Sequence, residues 1–300
     1  NSQLNRKVLT THDDPSRAVM EGVAHLLDEF GLDPGDFSRF VHATTLFTNA
    51  LVERRGARTG LLTTRGFRDT LEIGRERKYE LYDIHIEKPE PLVARDMRLE
   101  VRERIKADGS VYTPLDKPGL IVATQTLADR GVQSIAIVFL HAYANPDHER
   151  EALAVLEPLF RDISFCVSSD VAPEIREYER TSTTVANAYV KPLAERYLDA
   201  LARKIADQGI HATLLLMISS GGLTHVAEAK RVPVQMLESG PAAGALAGAF
   251  FGAADAGGNV LAFDMGGTTA KLSLVDNGEP LIAYTFEAAR QKRFMENSGL

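Results

Sequence analysis

Apolar residues recur at helical spacing in several stretches of the chain. In "SRAVMEGVAHLLDEFG" the apolar positions lie three or four residues apart until Gly31. Asp14 precedes this stretch as a candidate N-cap, and Pro15 occupies the first helical position, where proline is tolerated. The same spacing predicts helices over "LIVATQTLADRG", "DHEREALAVLEPLF", "SGPAAGALAGAFFG" and most of 173–209, with Pro192 restarting or kinking the last one.

Short apolar runs between these helices predict strands. They are "KVLTT", "GLLTT", "SIAIVF", "ISFCVSSDV", "ATLLLMISS" and "VLAF". "VLAF" has no alternation of polar and apolar positions, so we expect a strand covered on both faces, and the alternating "KLSLV" after it predicts a hairpin. Because strands and helices alternate, the chain is predicted to be an α/β protein with helices flanking a sheet.

Two changes of composition divide the chain. Residues 76–118 are charged and contain prolines, with alternation in "RLEVRERI" and a turn at "ADGS", which predicts an inserted lobe of short strands. Long helical stretches and small residues dominate after about residue 170. We therefore predict a first domain over 1–170, with the insert at about 76–118, and a second over 171–300.

Composition narrows the classes of function. The 300 residues are 44% hydrophobic and 25% charged, typical of a soluble globular protein. A net charge of −7 without a basic stripe argues against a nucleic-acid partner. Cys166 is the single cysteine and is interpreted as a small buried residue rather than a nucleophile, in a reducing compartment. Without an apolar span of about 18 residues or a signal-peptide pattern, we expect no membrane association and a cytoplasmic location.

The stretch "DMGGTTA" joins the two strands of the predicted hairpin and carries candidate chemistry. Asp264, at the end of a strand, is placed to face a hydrated Mg²⁺. Gly266 and Gly267 let a ligand approach backbone amides, and Thr268 and Thr269 offer donors to phosphate oxygens. The alternative is a tight hairpin with a capping aspartate. A Walker loop is excluded because no helix follows the glycines.

Two further glycine-containing segments are candidate nucleotide contacts. Gly240, Pro241 and Gly244 lie in the first turns of a helix of small residues, whose N-terminal amides and dipole favour phosphate. Alternatively, these residues are small so that the helix packs tightly on a sheet. Gly221 and Gly222 follow a strand end, where ligands of α/β sheets bind.

Several motifs in order resemble the hydantoinase A and 5-oxoprolinase family, which includes one subunit of the acetone and acetophenone carboxylases. They are "HATTLFTNALVERRGARTGLLTTRGFRD", "VAPEIREYERTSTTVANAYVKP", "SSGG", "ESGPAAGA" and "DMGGTTAKLSLV". The resemblance implies actin-like (ribonuclease-H-like) ATPase domains that bind ATP and Mg²⁺. It also implies ATP-dependent chemistry on a small cyclic amide or ketone, together with a second, hydantoinase B-type subunit or domain.

The resemblance also implies roles for individual residues. Residues 264–269 match the family's second phosphate hairpin, and Gly240, Pro241 and Gly244 match the start of its nucleotide-side helix. His42, in "HATT", matches a strand end near the phosphate-transfer region and is a candidate acid or base, or else simply a hydrogen-bonded strand-end histidine. The family's first hairpin, D-x-G-G-T-F-T-D, and its "GAGGGS" segment are not found, so the domains are expected to be incomplete at both ends and the piece alone to be inactive.

Three functions follow as alternatives. The first is an ATP-dependent hydrolase of a hydantoin, 5-oxoproline or similar lactam, acting by phosphorylation of the carbonyl oxygen. The second is a kinase-like subunit of a ketone carboxylase, and the third a noncatalytic actin-like regulator that binds a nucleotide. Residues 174–180, "EIREYER", are interpreted either as a charged surface helix start or as a substrate or interdomain contact. "HAYANPDHE" is interpreted as a loop with a helix cap at Asp147 in preference to a metal site.

Overall fold

The computed structural model describes residues 3–11, 13–75, 79–252, 259–265, 270–283, 285–288, 290, 292, 295–296 and 298–300. The α-helices are α1 Pro15–Phe30, α2 Leu46–Val52, α3 Thr70–Ile73, α4 Lys117–Asp129, α5 Asp147–Leu156, α6 Ser168–Val171, α7 Glu177–Asp207, α8 Val226–Arg231 and α9 Ser239–Gly252. The strands are β1 Arg39–His42, β2 Thr59–Thr64, β3 Arg98–Val101, β4 Arg104–Ile105, β5 Val111–Thr113, β6 Ser134–Val138, β7 Ser164–Val167, β8 Thr213–Met217, β9 Leu223–His225, β10 Val260–Met265, β11 Ala270–Asp276 and β12 Glu279–Pro280.

The first helix begins and ends as its sequence predicts. The Asp14 side chain accepts a hydrogen bond from the backbone N–H of Ser16 at 3.1 Å, and Gly31 ends α1 in the left-handed conformation, with φ 59°. The strand predicted at "KVLTT" is wrong, because residues 3–11 pair with no strand in the described part of the chain. An apolar run forms a strand only where a neighbouring strand accepts its backbone hydrogen bonds.

A parallel sheet in the order β3-β2-β6-β7 confirms the α/β prediction. Every residue of β2 and β6 is buried, as expected for parallel strands. The helices α4 and α5 pack on the sheet and against each other, and α7 lies along β6 and β7. The predicted strand over "ISFCVSSDV" is shorter than expected, because the chain turns into α6 at Ser168.

The segment 76–118 contributes to this sheet. Arg98–Val101 forms its edge strand, β3, parallel to β2, so one of the short strands expected in a separate lobe belongs to the main sheet. The hairpin β4–β5 does stand apart, and its "ADGS" turn is closed by Asp108, whose side chain accepts from the backbone N–H of Ser110 at 2.9 Å. The division of the chain near residue 170 stays a prediction.

A second sheet, in the order β1-β8-β9, lies beside the long helix α7. β1 and β8 are parallel, with His42 opposite Leu216. Phe47, Leu198 and Leu201 are buried in the core of this region. The predicted restart at Pro192 does not occur, because α7 is one helix through that residue, and the alternative of a kink stays a prediction.

The predicted hairpin of β10 and β11 is confirmed as an antiparallel pair. The expectation that "VLAF" is covered on both faces is wrong, since the side chains of Leu261 and Phe263 are 59% and 60% exposed. Among the described residues α9 packs on one face of the hairpin only, next to Val260 and Ala262. None of the described helices combines the length and the apolar character that crossing a membrane requires.

Candidate active site

Histidine 42 lies at the carboxyl end of β1, where it contacts α7. Its Nε2 atom is 2.8 Å from the hydroxyl of Tyr197. Burial lowers the pKa of His42 to about 4 and raises the pKa of Tyr197 to about 12. At neutral pH this hydrogen bond therefore joins a neutral phenol to a neutral imidazole. The sequence predicts that the pKa of His42 lies near neutral pH, but in the structure it lies well below. The role of His42 as a catalytic acid or base stays a prediction.

The start of α9 packs directly against the loop that follows β1. Ser239 is buried, and its hydroxyl donates to the carbonyl of Thr44 at 3.0 Å. The backbone N–H of Glu238 donates to the hydroxyl of Thr48 at 3.1 Å. A Cβ on Gly240 would lie 3.2 Å from the methyl of Thr45, so this glycine permits the close approach. The N-terminus of α9 is thus held at the end of β1.

The glycine pair after β8 reaches the same helix. Gly221 has a φ of +85°, which favours glycine, in the turn between β8 and β9. A Cβ added to Gly221 would lie 3.2 Å from Leu246 of α9. The turn is closed by the N–H of Ile218, which donates to the carbonyl of Gly222 at 3.0 Å. The segment that contains His42 and the turn at Gly221 and Gly222, both predicted from the sequence, therefore lie next to α9.

Glycines occur at every fourth position of α9 and form one stripe along it: Gly240, Gly244, Gly248 and Gly252. A Cβ on Gly252 would lie 2.2 Å from Val260, and one on Gly248 would lie 3.0 Å from Ala262. The two glycines nearer the helix C-terminus therefore let β10 pack closely. A Cβ on Gly244 would meet none of the described residues within 4 Å, so within the described structure the stripe is open at this position.

Aspartate 264 continues the row of β10 residues that faces this stripe. Successive side chains of a strand point to opposite faces, so Asp264 shares a face with Val260 and Ala262. It is exposed and pairs in register with Lys271 of β11. The ammonium of Lys271 forms an ion pair with Glu238, directly before α9. These contacts place Asp264 on the side of the hairpin that faces the first half of α9.

The surroundings of Asp264 fit a hydrated magnesium ion. Mg²⁺ in nucleotide sites keeps several waters and takes one or two carboxylates plus phosphate oxygens. The exposed carboxylate of Asp264, the gap at Gly244 and the positive end of the α9 dipole supply these features. Glu238 adds a second carboxylate nearby, and its Oε1 atom is buried without a partner among the described residues. The predicted phosphate contacts Gly266, Gly267, Thr268 and Thr269 lie outside the described residues.

Comparison with known families identifies the chain. The profile of the hydantoinase/oxoprolinase N-terminal region matches residues 3–160, and the hydantoinase/oxoprolinase profile matches residues 180–296. The chain belongs to the hydantoinase/oxoprolinase family. The resemblance inferred from the motifs is thereby confirmed.

Curated relatives of this family member match most of its length. An uncharacterized protein of Methanocaldococcus jannaschii is 38% identical over 98% of the chain and 43% of its own length. The caprolactamase α subunit of Pseudomonas jessenii is 34% identical, with coverage of 93% and 41%. The acetophenone carboxylase γ subunit of Aromatoleum aromaticum is 32% identical, with coverage of 90% and 39%. The chain therefore spans about two fifths of the length of these relatives.

Two solved structures share the fold. The ATP-dependent caprolactamase from Pseudomonas jessenii has a TM-score of 0.79 and 34% identity, over 91% of this chain and 40% of its own. The nucleotide-free structure of acetone carboxylase, described in a study of ATP-dependent acetone carboxylation, has a TM-score of 0.81 and 26% identity, over 90% of this chain and 40% of its own. Family and fold thus agree.

The charged segment 174–180 contains the exposed start of α7, at Glu177, as one of the two interpretations expected. Its last residue, Arg180, is an exception and is only 2% exposed. Its guanidinium donates to the carbonyl of Phe139 at 2.8 Å and to the hydroxyl of Ser168 at 3.2 Å. Arg180 therefore ties α7 to the end of β6.

The "HAYANPDHE" segment forms a loop followed by the start of α5, as predicted from the sequence. Asp147 is the first residue of α5 rather than its cap, and its N–H donates to the side chain of Asn145 at 2.9 Å. No cluster of three or more His, Cys, Asp or Glu side chains in the described part of the chain is arranged to hold a metal ion. Cys166 is buried as expected, and burial raises the pKa of its thiol to about 11, which argues against a nucleophile.

Sequence reasoning missed several features of the site. The bond between His42 and Tyr197 joins residues 155 positions apart, and that between Ser239 and Thr44 joins residues 195 apart. No local pattern indicates such pairs. The spacing of the glycines in α9, by contrast, is visible in the sequence and marks the face that receives β10.

Proposed function

We propose that the protein containing this chain is an ATP-dependent hydrolase of a small cyclic amide, such as a hydantoin, 5-oxoproline or another lactam. The observation that carries the proposal is the open space at Gly244 of α9, where a Cβ would meet no described residue within 4 Å, on the helix that packs against the strand bearing Asp264. A helix N-terminus facing an exposed carboxylate suits a magnesium-bound phosphate chain. Membership of the family and the similarity to an ATP-dependent caprolactamase support the same chemistry.

The reaction follows from the low reactivity of an amide carbonyl. Transfer of the γ-phosphoryl group of ATP to the carbonyl oxygen releases ADP and makes that oxygen a good leaving group. Water then adds to the carbon, the ring C–N bond breaks and the nitrogen takes up a proton, which leaves an acyl phosphate. A second water hydrolyses the acyl phosphate to a carboxylate and inorganic phosphate. Such a transfer needs positioning and charge stabilisation more than covalent participation by the protein.

Different residues of this chain have separate roles in the proposed reaction. Asp264 would hold a hydrated Mg²⁺, which would supply charge neutralisation for the phosphates. The amides of Gly240 and its neighbours at the start of α9 face the phosphates, and the turn at Gly221 and Gly222 borders the nucleotide. Residues 266–269 bind phosphate oxygens, as the family resemblance implies. His42 acts from its neutral form, as a base or hydrogen-bond acceptor near the acceptor molecule.

The proposal extends to the architecture and assembly of the protein. We propose that the chain contributes to two actin-like ATPase domains, one over 1–170 and one over 171–300. The caprolactamase and acetophenone carboxylase relatives are named as subunits of their enzymes. We therefore propose that a hydantoinase B-type subunit or domain works with this one. The cytoplasmic location of the protein that contains this chain stays a prediction.

A ketone carboxylase subunit is the second candidate function. The similarity to the acetophenone carboxylase γ subunit and to the acetone carboxylase structure favours it. In that case the γ-phosphoryl group would go to the oxygen of a ketone enolate and prepare the molecule for carboxylation. The same Asp264 and α9 would serve both reactions, because the phosphate chemistry is shared.

The test is acceptor-stimulated ATP hydrolysis by the complete protein with its partner subunit. Hydantoin, 5-oxoproline and caprolactam form one arm, and methyl ketones with bicarbonate form the other. We expect one cyclic amide to stimulate phosphate release, and Asp264→Ala to abolish the stimulation. Asp276→Ala, an exposed aspartate at the other end of the hairpin, is the matched control and should leave it intact.

The result chooses between the alternatives. Stimulation by a ketone only in the presence of bicarbonate would replace the hydrolase by the carboxylase. If no acceptor stimulates hydrolysis although Mg-ATP binds, the enzyme proposal is wrong.

A further inference from the structure

A cavity of about 590 Å³ opens at the carboxyl end of the parallel sheet, and none of the candidate active-site residues lines it. Its lining follows the ends of β2 and β3 and includes the β4–β5 hairpin and the loop after β6. The lining residues are Arg65, Arg102, Glu103, Arg104, Lys106, Ala107, Tyr112, Thr113 and His141. Carboxyl ends of parallel strands are where α/β proteins bind ligands.

The cavity is strongly basic in an acidic chain. Four of its lining side chains are cations, in a protein of net charge −7. None of the four forms an ion pair with any residue that the structure describes: Arg65, Arg102, Arg104 and Lys106. Two of them lie over aromatic rings, with Arg104 over the ring of Phe67 at 5.0 Å and Lys106 over that of Tyr112 at 5.7 Å. The charge of Lys106 also acts on Asp108, in the turn of the hairpin.

Among the described lining residues, the one acidic side chain is turned away from the cavity opening and hydrogen-bonded in the interior. The side chain of Glu103 is fully buried, and its carboxylate accepts hydrogen bonds from Thr64 and, at 2.7 Å, from His148. It therefore offers no exposed counter-charge to the four cations. A concave surface of one sign concentrates ions of the opposite sign.

The walls of the cavity are fixed by long-range contacts. His141 donates from Nδ1 to the carbonyl of Ile105 at 2.8 Å, and Asn145 donates to the carbonyl of Gly109 at 2.9 Å. Both bonds join the loop after β6 to the β4–β5 hairpin. His141 also has a φ of 58°, an uncommon conformation for a residue with a side chain, and such strain concentrates at functional sites. Its Nε2 is the ring nitrogen left for a ligand.

From this geometry we infer that the cavity binds a small molecule carrying two or more negative charges on phosphate or carboxylate groups. Three of the cations are arginines, whose planar forks bind both kinds of oxyanion in bidentate fashion. Tyr112, 70% exposed, supplies a flat apolar surface beside them. The site is separate from the proposed nucleotide site, and it stands whether or not that proposal is correct.

Isothermal titration calorimetry on the complete protein tests the site, with inorganic pyrophosphate and citrate as probes. The titrations are done in magnesium-free buffer at constant ionic strength. The double variant Arg102→Gln/Arg104→Gln removes two of the three guanidinium groups that line the cavity. Arg161→Gln is the matched control, because Arg161 is an exposed arginine just before β7, at the opposite end of the same sheet. Asp264→Ala reports on the proposed nucleotide site.

We expect saturable binding that the double variant weakens about tenfold or more, with Arg161→Gln and Asp264→Ala unchanged. Binding of pyrophosphate alone would assign a phosphorylated ligand, and binding of citrate alone a polycarboxylate. Absence of saturable binding, or equal affinity in the double variant, overturns the inference. Loss of pyrophosphate binding in Asp264→Ala alone, in a parallel titration that contains Mg²⁺, would assign that anion to the nucleotide site and overturn the inference. If the double variant melts at a lower temperature, Lys106→Gln replaces it, since the Lys106 side chain lies over the exposed ring of Tyr112.

Discussion

The parallel sheet and the β10–β11 hairpin are both built from apolar strands, yet their burial differs. In the sheet, Leu61 and Ile137 are 0% exposed. In the hairpin, Leu261 and Leu272 are 59% and 66% exposed. Helices and neighbouring strands enclose β2 and β6, whereas α9 covers one face of the hairpin in the described part of the chain. An apolar strand sequence therefore favours burial, but the elements around the strand determine how many faces are buried.

The two regions also pack differently. Large aliphatic side chains fill the space around the sheet, whereas the glycines of α9 bring the backbone of β10 close. The first arrangement maximises buried apolar area. The second leaves a gap at Gly244, where a ligand can enter. The candidate active site lies in the less enclosed region.

The largest expected effect is the loss of a sheet side chain. Ile137→Ala should lower the free energy of unfolding by about 4 kcal/mol, because it leaves a cavity in a closed core. Leu272→Ala, on the open face of the hairpin, should lower it by less than about 0.5 kcal/mol. Urea unfolding followed by circular dichroism measures both. Equal losses would show that the hairpin face is as enclosed as the sheet.

A pH-dependent effect is expected at His42, in the second sheet. Its pKa is about 4 in the folded protein against an ordinary value of about 6.5, so the unfolded chain binds more protons between these values. The stabilisation is complete above about pH 6.5, and about 2–3 kcal/mol is lost as the pH falls to about 4. Unfolding measured from pH 7.5 to 4.5 should depend less on pH in His42→Gln. Identical pH profiles would contradict the burial of a neutral imidazole.

Alanine substitutions at Gly252 and Gly244 of the glycine stripe should change stability in opposite directions. Gly252→Ala should destabilise the contact between α9 and the hairpin by about 2 kcal/mol, because the new Cβ would lie 2.2 Å from Val260. Gly244→Ala meets open space and should stabilise α9 by up to about 1 kcal/mol. Hydrogen exchange of the β10 and β11 amides measures the first effect and thermal unfolding the second. Similar destabilisation by both would contradict the gap.

The smallest effect is expected at the ion pair between Lys271 and Glu238. Both side chains are mostly buried, at 18% and 20% exposure, so Lys271→Gln should cost about 1 kcal/mol. Lys230→Gln, which removes a more exposed pair with Asp199, should cost a few tenths of a kcal/mol and serves as control. Chemical denaturation of the three proteins compares them. A larger loss in the control would show that the Lys271 contact does not anchor the hairpin.

Much of the local structure could be predicted from the sequence. Asp14, Pro15 and Gly31 mark the ends of α1, because caps and turns depend on neighbouring backbone groups. The apolar runs of β2 and β6 predicted buried parallel strands, and the order of the motifs identified the family. The hairpin bearing Asp264 was predicted from the change between an apolar and an alternating run.

The failures involve contacts between distant residues. Arg180 lies in a charged stretch, but the carbonyl of Phe139 and the hydroxyl of Ser168 draw it into the interior. His42 has an ordinary sequence context, and its low pKa comes from burial that the fold creates. The edge strand β3 was assigned to a separate lobe, because the sequence does not show which strand it pairs with.

The sequence by itself determined where helices and strands form, the family, and the residues with candidate phosphate chemistry. It could do so because hydrogen-bonding periodicity, capping and motif chemistry act over a few neighbouring positions. Only the tertiary structure decided which strand faces are covered, how Asp264 stands against α9, and that four cations surround one cavity. Those features depend on distances between residues far apart in the chain, which are set when packing brings the elements together.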